Sequence, residues 1–204
     1  LIPDNDICIK GSVELSSDKS LSIRSVLFAS IAYGISHLEI KNPGEDAVTA
    51  IMAIKKLGIK VIKNRDQYTI FGLGIGYPIN KKKLIINCRN SGTTLRLLTP
   101  LIAGSKVNAK IIGDQSLSNR PYRLEFLKEF LMNVKPSKKK FLPLFIKGHT
   151  SCIKAKIIIK KPSAQMISAA TLAGISSFGE TIIECPNNVR DHTSRLLKHL
   201  GYSI

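Results

Sequence analysis

Three polar segments, each followed by an apolar run, recur along the chain and limit its fold more strongly than any other feature. They open at Ser20, Ser91 and Ser163, which lie 71 and 72 residues apart. Each apolar run, such as residues 26–32, lacks a charged face, and a helix of that kind is buried in a protein core. Similar segments at one spacing are typical of an internal repeat. The sequence therefore predicts three buried helices in equivalent places of three repeated units.

The segments that follow each buried helix support the same repeat. A short strand is predicted after each helix, at residues 37–40, 108–112 and 181–184. A second helix is predicted after each strand, with starts at Glu45, Arg120 and Arg190. These second helices are predicted to end at Leu57-Gly58, at residues 131–133 with Asn133 as a left-handed C-cap, and at Leu200-Gly201. The unit is thus a strand followed by two helix–strand segments, which predicts an α/β (α+β) fold.

The length and composition suit one repeat lobe with a short appendage. A chain of 204 residues with 44% hydrophobic content can bury a core of its own. Residues 18–204 are predicted to form the threefold-repeat lobe, with the third unit incomplete at the C-terminus. Residues 6–15 alternate as a strand does but have no partner in the repeat. We therefore expect residues 1–17 to be a strand segment that belongs to another lobe.

The net charge of +17 permits either a nucleic-acid partner or an anionic substrate. The lysine runs at 81–83 and 138–140 lie between periodic segments and are interpreted as solvated loops. Seven Phe, five Tyr and no Trp provide little surface for base stacking. We therefore expect small anionic molecules as partners and no nucleic acid.

The sequence also indicates the compartment. No apolar run approaches the roughly 20 residues of a membrane span, and residues 1–6 do not resemble a signal peptide. The four cysteines (Cys8, Cys88, Cys152 and Cys185) are far apart and form no C-x-x-C pair. We therefore expect a cytoplasmic protein with reduced thiols, no metal and no membrane partner.

The polar openings are candidate anion sites. Asp18 or Ser20 can cap the first helix, whose free N–H groups and dipole attract an anion, and Lys19 and Arg24 lie beside them. Taken alone, this pattern fits an ordinary capped core helix with two surface cations better than an anion site. Because a repeat brings equivalent ends of its units together, we expect Lys19, Arg24, Arg120 and Gln165 to converge on one surface.

Five ordered motifs carry a family resemblance. They are Asp18-Lys19-Ser20-x-Ser22-x-Arg24, Asn90-Ser91-Gly92-Thr93-Thr94-x-Arg96, Gly113-Asp114-x-Ser116-x-x-x-Arg120-Pro121, Ser163-Ala164-Gln165 and Arg190-Asp191-His192-Thr193. In this order and spacing they resemble the N-terminal half of the EPSP synthase (3-phosphoshikimate 1-carboxyvinyltransferase) family of enolpyruvyl transferases. The resemblance implies one lobe of a two-lobed fold (an inside-out α/β barrel). In that fold each lobe has three βαβαββ units around buried parallel helices.

The resemblance also implies an activity and a site. The reaction transfers the enolpyruvyl group of phosphoenolpyruvate to the 5-hydroxyl of shikimate 3-phosphate and releases phosphate, in the shikimate pathway of aromatic amino acid biosynthesis. The family needs no metal or cofactor, and we expect a monomer at full length. Shikimate 3-phosphate would contact Lys19, Ser20, Arg24, Ser163, Ala164, Gln165 and Arg190. Phosphoenolpyruvate would contact Lys19, Asn90, Gly92, Arg120 and Gln165, and Lys19 would be catalytic.

Three departures from the family pattern qualify these expectations. Ser16-Ser17 replaces the usual Pro-Gly, and Arg89 replaces a Gly that can adopt backbone angles costly for Arg. The family is about twice as long as this chain, and its proton-transfer acid and base lie in the half not present. We therefore expect a fragment without activity of its own.

Two other functions remain open at this point. The sister enzyme that transfers enolpyruvate to UDP-N-acetylglucosamine shares the fold but usually has Lys-Asn where this chain has Lys19-Ser20. A non-catalytic nucleic-acid-binding domain would rest on the net charge alone.

Overall fold

The computed structural model describes residues 12, 14–77, 83–138, 140–161, 163–186 and 188–204. The α-helices of these residues are α1 (Lys19–Ile31), α2 (Glu45–Lys56), α3 (Gly92–Ala103), α4 (Gln115–Ser118), α5 (Ala164–Ile175) and α6 (His192–His199). The strands are β1 (Tyr33–Glu39), β2 (Lys60–Asn64), β3 (Gln67–Leu73), β4 (Leu84–Asn87), β5 (Asn108–Ile112), β6 (Asn133–Lys138), β7 (Phe141–Lys147), β8 (Lys156–Ile158) and β9 (Ile182–Glu184). Most of the strand predicted at residues 6–15, and part of each lysine run, lie outside the described residues.

The strands form three small sheets. The first has the order β1-β3-β2 and is antiparallel throughout. The second has the order β4-β5-β7-β6, and only its β4–β5 pair is parallel. The third is the parallel pair of β8 and β9. Both parallel pairs flank a buried helix, α3 or α5, because parallel neighbours require a crossover connection of that kind.

The three helices predicted to be buried form the core. Every residue of α3 is buried, as are nine of the 13 residues of α1 and six of the 12 residues of α5. Each helix is capped as its polar opening suggested. The caps are Asp18, which accepts a hydrogen bond from the Leu21 amide at 2.7 Å, and Ser91 and Ser163, which accept from the amides of Thr94 and Met166. Such caps satisfy backbone donors that the helix itself leaves free. The predicted starts are therefore confirmed to within one residue.

The ends of α3 and α5 show that these helices run in the same direction. Near their N-termini, Gln165 Nε2 donates to Thr93 Oγ1 at 2.9 Å. At their C-terminal ends, a Cβ atom on Gly104 would lie only 2.5 Å from Ser176 Cβ. Only glycine fits at Gly104 without moving the two helix ends apart.

The first helix, α1, runs in the same direction as α3 and α5. Its second turn reaches α5 through Arg24, whose Nη2 donates to Ser168 Oγ at 3.0 Å. Near its other end, Ser30 Oγ and Tyr77 Oη lie 2.8 Å apart. Tyr77 follows Gly76, which faces the carbonyl of Gly104 at the C-terminus of α3. The N-termini of all three core helices therefore lie on one side of the lobe.

The outer helices α2 and α6 have the amphipathic character that the sequence predicts. In α2 the exposed residues include Lys55 and Lys56. In α6, Thr193 and Leu197 are buried and Lys198 is exposed. None of the helices in the described part of the chain is long and apolar enough to span a bilayer.

The second helix of the middle segment differs from its prediction. It was expected to begin at Arg120, but the chain forms one turn of helix at Gln115–Ser118 and then a 3-10 helix at Glu125–Phe130. Arg123, which lies between these turns, has a φ of 56°, and a left-handed residue cannot continue a right-handed helix. The predicted start at Arg120 is therefore wrong.

The predicted end of that helix is also wrong. Leu131, with a φ of 58°, takes the left-handed position expected of Asn133, and Asn133 begins β6. Phe130 and Met132 on either side of Leu131 are buried. Their burial places Leu131 at the turn, so packing outweighs the preference of Asn for this conformation.

Candidate functional site

Arg24 is a buried cation in the second turn of α1 and is held by neutral groups. Its Nε donates to Thr193 Oγ1 at 2.8 Å, its Nη2 to Ser168 Oγ at 3.0 Å, and its Nη1 to the carbonyl of Ser20 at 3.1 Å. Only 3% of the residue is exposed. Burial lowers the pKa of the Arg24 guanidinium, and the nearby carboxylate of Asp18 acts in the opposite direction. Arg24 thus connects α1 to α5 and α6.

Arg96 is a second buried cation, in the second turn of α3. Its Nη1 donates to the carbonyl of Gly92 at 3.2 Å and to Gln165 Oε1 at 2.9 Å, and its Nη2 donates to the carbonyl of Pro121 at 3.1 Å. Burial lowers the pKa of Arg96, and the neighbouring positive charges of Arg123 and Arg120 lower it further. The guanidinium groups of Arg120 and Arg123 therefore lie close enough to repel that of Arg96.

Arg120 is exposed and extends this cationic region. Its Nη2 donates to Asn90 Oδ1 and to Ser116 Oγ, both at 2.7 Å. These bonds join the loop before α3 to the short helix α4. They leave further N–H groups of the guanidinium, which carries five donors in a planar fork suited to a carboxylate or a phosphate.

Lys19 lies at the N-terminus of α1 and is largely exposed. Its Nζ lies 3.6 Å from Asp46 Oδ2, in the first turn of α2, and 65% of the Lys19 side chain is accessible. An ion pair as exposed as this one contributes little to stability. Lys19 therefore remains available to an anion at the same helix end.

Acidic side chains are scarce around these arginines. Within the described ranges, no carboxylate forms an ion pair with Arg24, Arg96 or Arg120. Removing a cation from water without a counter-charge is costly. An anion bound beside the N-termini of α1, α3 and α5 would offset that cost, and those N-termini also favour negative charge.

The predicted site residues do not all lie equally close together. Hydrogen bonds connect Arg24 with Ser20, and connect Gln165 through Arg96 to Gly92 and to the backbone next to Arg120. Ser163 and Ala164 precede Gln165 at the start of α5, and both are half-buried. Lys19 is at the same end of the lobe, but its ion pair is with α2. Arg190 is exposed and lies three residues before Thr193.

The sequence interpretation missed four residues that hold the site together. They are Thr93, Arg96, Ser168 and Thr193. Arg96 and Thr93 stood within a recognised motif, but their roles depend on contacts with α5. Ser168 gave no signal of its own, except that it lies 72 residues after Arg96 just as Arg96 lies 72 residues after Arg24.

Elsewhere, the described residues offer neither a cationic cavity nor a group of metal ligands. A cavity of about 490 Å³ lies between α5, β9 and the residues around Tyr202, and its lining contains no Lys, Arg or His. No three His, Cys, Asp or Glu side chains in the described part of the chain are grouped as metal ligands are. The cationic helix ends are therefore the candidate site for an anionic ligand.

Comparisons with known proteins identify related chains. Residues 5–204 match the model of the family EPSP synthase (3-phosphoshikimate 1-carboxyvinyltransferase). The chain is 34% identical, over 198 residues, to the 3-phosphoshikimate 1-carboxyvinyltransferase of Ruthia magnifica subsp. Calyptogena magnifica, covering 96% of this chain and 45% of that protein. It is 35% identical over 202 residues to the enzyme of the same name from Thermodesulfovibrio yellowstonii, covering 96% of this chain and 46% of the relative.

A solved structure agrees with these relatives. The EPSP synthase from Acinetobacter baumannii superposes with a TM-score of 0.85 at 31% identity, covering 95% of this chain and 44% of that one. The fold is therefore that of part of an EPSP synthase. The chain spans about half the length of the curated relatives it matches.

Proposed function

Because the chain belongs to the EPSP synthase family, we propose that it forms the shikimate 3-phosphate side, and part of the phosphoenolpyruvate side, of a 3-phosphoshikimate 1-carboxyvinyltransferase. The complete enzyme would transfer the enolpyruvyl group of phosphoenolpyruvate to the 5-hydroxyl of shikimate 3-phosphate and release phosphate. The observation that carries the proposal is the pair of buried guanidinium groups, Arg24 and Arg96, beside aligned helix N-termini and without acidic partners in the described residues.

The acceptor would lie between α1, α5 and α6. Two N–H groups of Arg24 remain after its bonds to Ser20, Ser168 and Thr193, one on each terminal nitrogen, and these would donate to the acceptor's phosphate. The residues proposed to contact shikimate 3-phosphate are Lys19, Ser20, Arg24, Ser163, Ala164, Gln165 and Arg190. The start of α5 would provide additional N–H donors for the phosphate.

Phosphoenolpyruvate would lie closer to α3. The residues proposed to contact it are Lys19, Asn90, Gly92, Arg120 and Gln165. Gly92 is buried at the first turn of α3, and a Cβ atom there would lie only 2.7 Å from Arg96 Nη1, so glycine at this position leaves room for that guanidinium. The adjoining guanidinium groups of Arg96, Arg120 and Arg123 make this part of the site the more positive one. The cations would stabilise the charges of a tetrahedral adduct of the two substrates.

The remainder of the enzyme would come from outside these residues. We propose that residues 18–204 form one lobe and that residues 1–17 pair with the other lobe. Residues 14–17 lead into α1 and contact Lys41, just after β1: the Ser17 amide donates to its carbonyl at 3.0 Å, and a Glu14 carboxylate oxygen lies 3.2 Å from its Nζ. The acid and base for proton transfer would belong to the other lobe. We further propose that the complete enzyme is a cytoplasmic monomer.

A binding experiment tests the proposal against its alternatives. The 204-residue chain would be titrated with shikimate 3-phosphate, UDP-N-acetylglucosamine and an RNA oligomer at two salt concentrations. We expect shikimate 3-phosphate to bind, weakly, because a one-sided site leaves the ligand partly hydrated and each exposed ion pair is then worth only ~1 kcal/mol. Binding of RNA that falls steeply with salt, with no binding of shikimate 3-phosphate, would contradict the proposal.

A turnover experiment tests the division of roles. Phosphate release would be measured with both substrates and the 204-residue chain alone. We expect no steady turnover, because a missing proton-transfer group typically lowers the rate by a hundredfold or more and an open site admits water. Steady turnover would show that the acid and base are within these residues.

A further inference from the structure

The side-chain amide of Gln165 is held at both of its polar atoms. Its Oε1 accepts a hydrogen bond from Arg96 Nη1 at 2.9 Å, and its Nε2 donates to Thr93 Oγ1 at 2.9 Å. Both partners are on α3, whereas Gln165 is in the first turn of α5. Two side chains of α3 therefore hold the one side-chain amide that α5 contributes.

The chemistry of these partners fixes which way the amide points. A guanidinium can only donate hydrogen bonds, so the atom of Gln165 that faces Arg96 must be the oxygen. The nitrogen then faces Thr93 and gives one of its two N–H groups to the hydroxyl. The second N–H of Nε2 is left with a fixed direction.

Arg96 also fixes the surroundings of that amide. Its Nη1 donates to the carbonyl of Gly92, and its Nη2 donates to the carbonyl of Pro121, the residue after Arg120. A single buried side chain thus connects the first turn of α3, the start of α5 and the loop that carries Arg120. Only 9% of Arg96 is exposed, so solvent competes little for these bonds.

We propose that Thr93 and Arg96 are positioning residues that orient Gln165, so that its free Nε2–H points toward the bound anions. This inference rests on the proposed function only for the identity of the ligands. A geometry held within about half an ångström is what a binding site for two reacting molecules requires. Because Gln165 is proposed to reach both substrates, disordering its amide weakens both.

The experiment compares two isosteric changes on one helix. Thr93→Val removes the hydroxyl that accepts from Gln165. Thr99→Val removes a buried hydroxyl that donates only to the carbonyl of Leu95 in the same helix, at 2.7 Å. Thr93→Ser keeps the hydroxyl and serves as the conservative control. Affinities of the 204-residue chain for shikimate 3-phosphate and phosphoenolpyruvate would be measured by calorimetry.

We expect Thr93→Val to weaken the binding of both ligands about three- to tenfold, the range for one neutral hydrogen bond. Thr93→Ser and Thr99→Val should remain within about twofold of the parent. Equal affinities of the Thr93→Val and Thr99→Val variants would overturn the inference. If Thr93→Val does not fold, Thr93→Ala replaces it in the same comparison.

A second measurement does not depend on substrate identity. The side-chain NH2 signals of Gln165, assigned by Gln165→Asn in a ¹⁵N-labelled sample, report the environment of the amide. We expect Thr93→Val to move these signals toward those of a solvated glutamine, and Thr99→Val to leave them in place. Unchanged signals in Thr93→Val would overturn the inference, even if the chain bound neither ligand. Failure of the parent chain to bind either ligand would contradict only the proposed function.

Discussion

Arg24 and Arg96 occupy the same position in two helices, but their surroundings differ. Each lies in the second turn, buries its guanidinium, and donates an Nη1 hydrogen bond to the carbonyl four residues earlier, at 3.1 Å to Ser20 and 3.2 Å to Gly92. The remaining bonds of Arg24 go to the hydroxyls of Ser168 and Thr193. Those of Arg96 go to the Gln165 amide and to a backbone carbonyl.

The charge around the two arginines differs as well. A carboxylate, Asp18, partly offsets the desolvation of Arg24, whereas Arg120 and Arg123 add to the positive potential at Arg96. The same local geometry therefore places the two guanidinium groups in different electrostatic surroundings. The surroundings of Arg96 (the Arg96 side) are more positive than those of Arg24 (the Arg24 side).

The largest expected effect is at Arg24. Arg24→Met should weaken the binding of shikimate 3-phosphate by at least about 100-fold, because charge-assisted hydrogen bonds contribute about 1.5–3 kcal/mol each and two are lost. Arg120→Met, at an exposed position, should weaken phosphoenolpyruvate about tenfold or less. Calorimetric titration of both variants with both ligands measures the four dissociation constants that this comparison needs.

The control for this pair is Arg65→Met, which removes an exposed arginine in the turn between β2 and β3. It should change neither affinity by more than about twofold. If Arg24→Met and Arg120→Met weakened both ligands equally, the two sides would not be separate sites.

The next largest effect is expected at Thr193, on α6, whose hydroxyl accepts a hydrogen bond from Arg24. Thr193 Oγ1 accepts from Arg24 and donates to Ser168 Oγ at 2.7 Å. Thr193→Val leaves the buried Nε–H of Arg24 without its acceptor, which should lower the free energy of unfolding by about 2 kcal/mol. For a domain of this size that corresponds to a fall in Tm of about 4–8 °C. Thermal unfolding followed by circular dichroism measures it.

Thr171→Val is the matched change for that experiment. Thr171 Oγ1 donates to the carbonyl of Ile167, in its own helix, at 3.0 Å. Its loss should cost about 1 kcal/mol or less. Equal Tm values for the two variants would show that the Thr193 hydroxyl does not support Arg24.

A buried thiol, Cys88, near the start of the Arg96 helix should make the free energy of unfolding depend on pH above pH 9. Cys88 directly follows β4 at the start of the connection to α3, and burial raises the pKa of its thiol from 9.0 to about 12. The folded protein holds this thiol neutral where the unfolded chain ionises it. Stability is therefore unaffected below pH 9 and falls by roughly 1.4 kcal/mol per pH unit between 9 and 12.

Urea unfolding at pH 8 and pH 10 tests this contribution. Tyr77, whose pKa burial also raises, acts in the same direction, so the parent is compared with Cys88→Ala. The parent should lose about 1.4 kcal/mol more than Cys88→Ala between the two pH values. Equal losses would show that the thiol is not protected from ionisation.

The smallest effect is expected at Arg89, just before the Arg96 helix. Arg89 has a φ of 46°, and its side chain reaches Met52 Sδ at 3.4 Å. Arg89→Gly relieves about 1 kcal/mol of backbone strain but increases the entropy of the unfolded chain by a similar amount. The free energy of unfolding should therefore change by less than about 1 kcal/mol, as measured by urea titration. A loss of more than 2 kcal/mol would show that the Met52 contact matters more than the strain.

Much of this architecture was predictable because local rules agree with the global fold. The start of each core helix follows from a capping residue, Asp18, Ser91 or Ser163, placed before an uncharged apolar run. The strand at Asn108–Ile112 and the helix at Glu45–Lys56 also match their predictions closely. Family membership followed from five motifs whose order and spacing are read directly from the chain.

The failures occur where the tertiary structure outweighs local preference. Arg123 and Leu131 both adopt left-handed backbone, which interrupts the helix expected to begin at Arg120 and displaces its C-cap from Asn133. Neither residue favours that conformation by itself. Burial of the neighbouring Tyr122, Phe130 and Met132 selects it, and that burial depends on distant segments.

The sequence by itself determined where the capped helix starts and the arginines beside them lie, because helix caps, helix dipoles and arginine charge are properties of short segments. Only the tertiary structure decided what each arginine holds. Arg24 meets Thr193 across 169 positions, and Arg96 meets Gln165 across 69. No local pattern encodes such a partner, because it is selected by how three parallel helices pack side by side. That packing gives two similar arginines different hydrogen-bond partners.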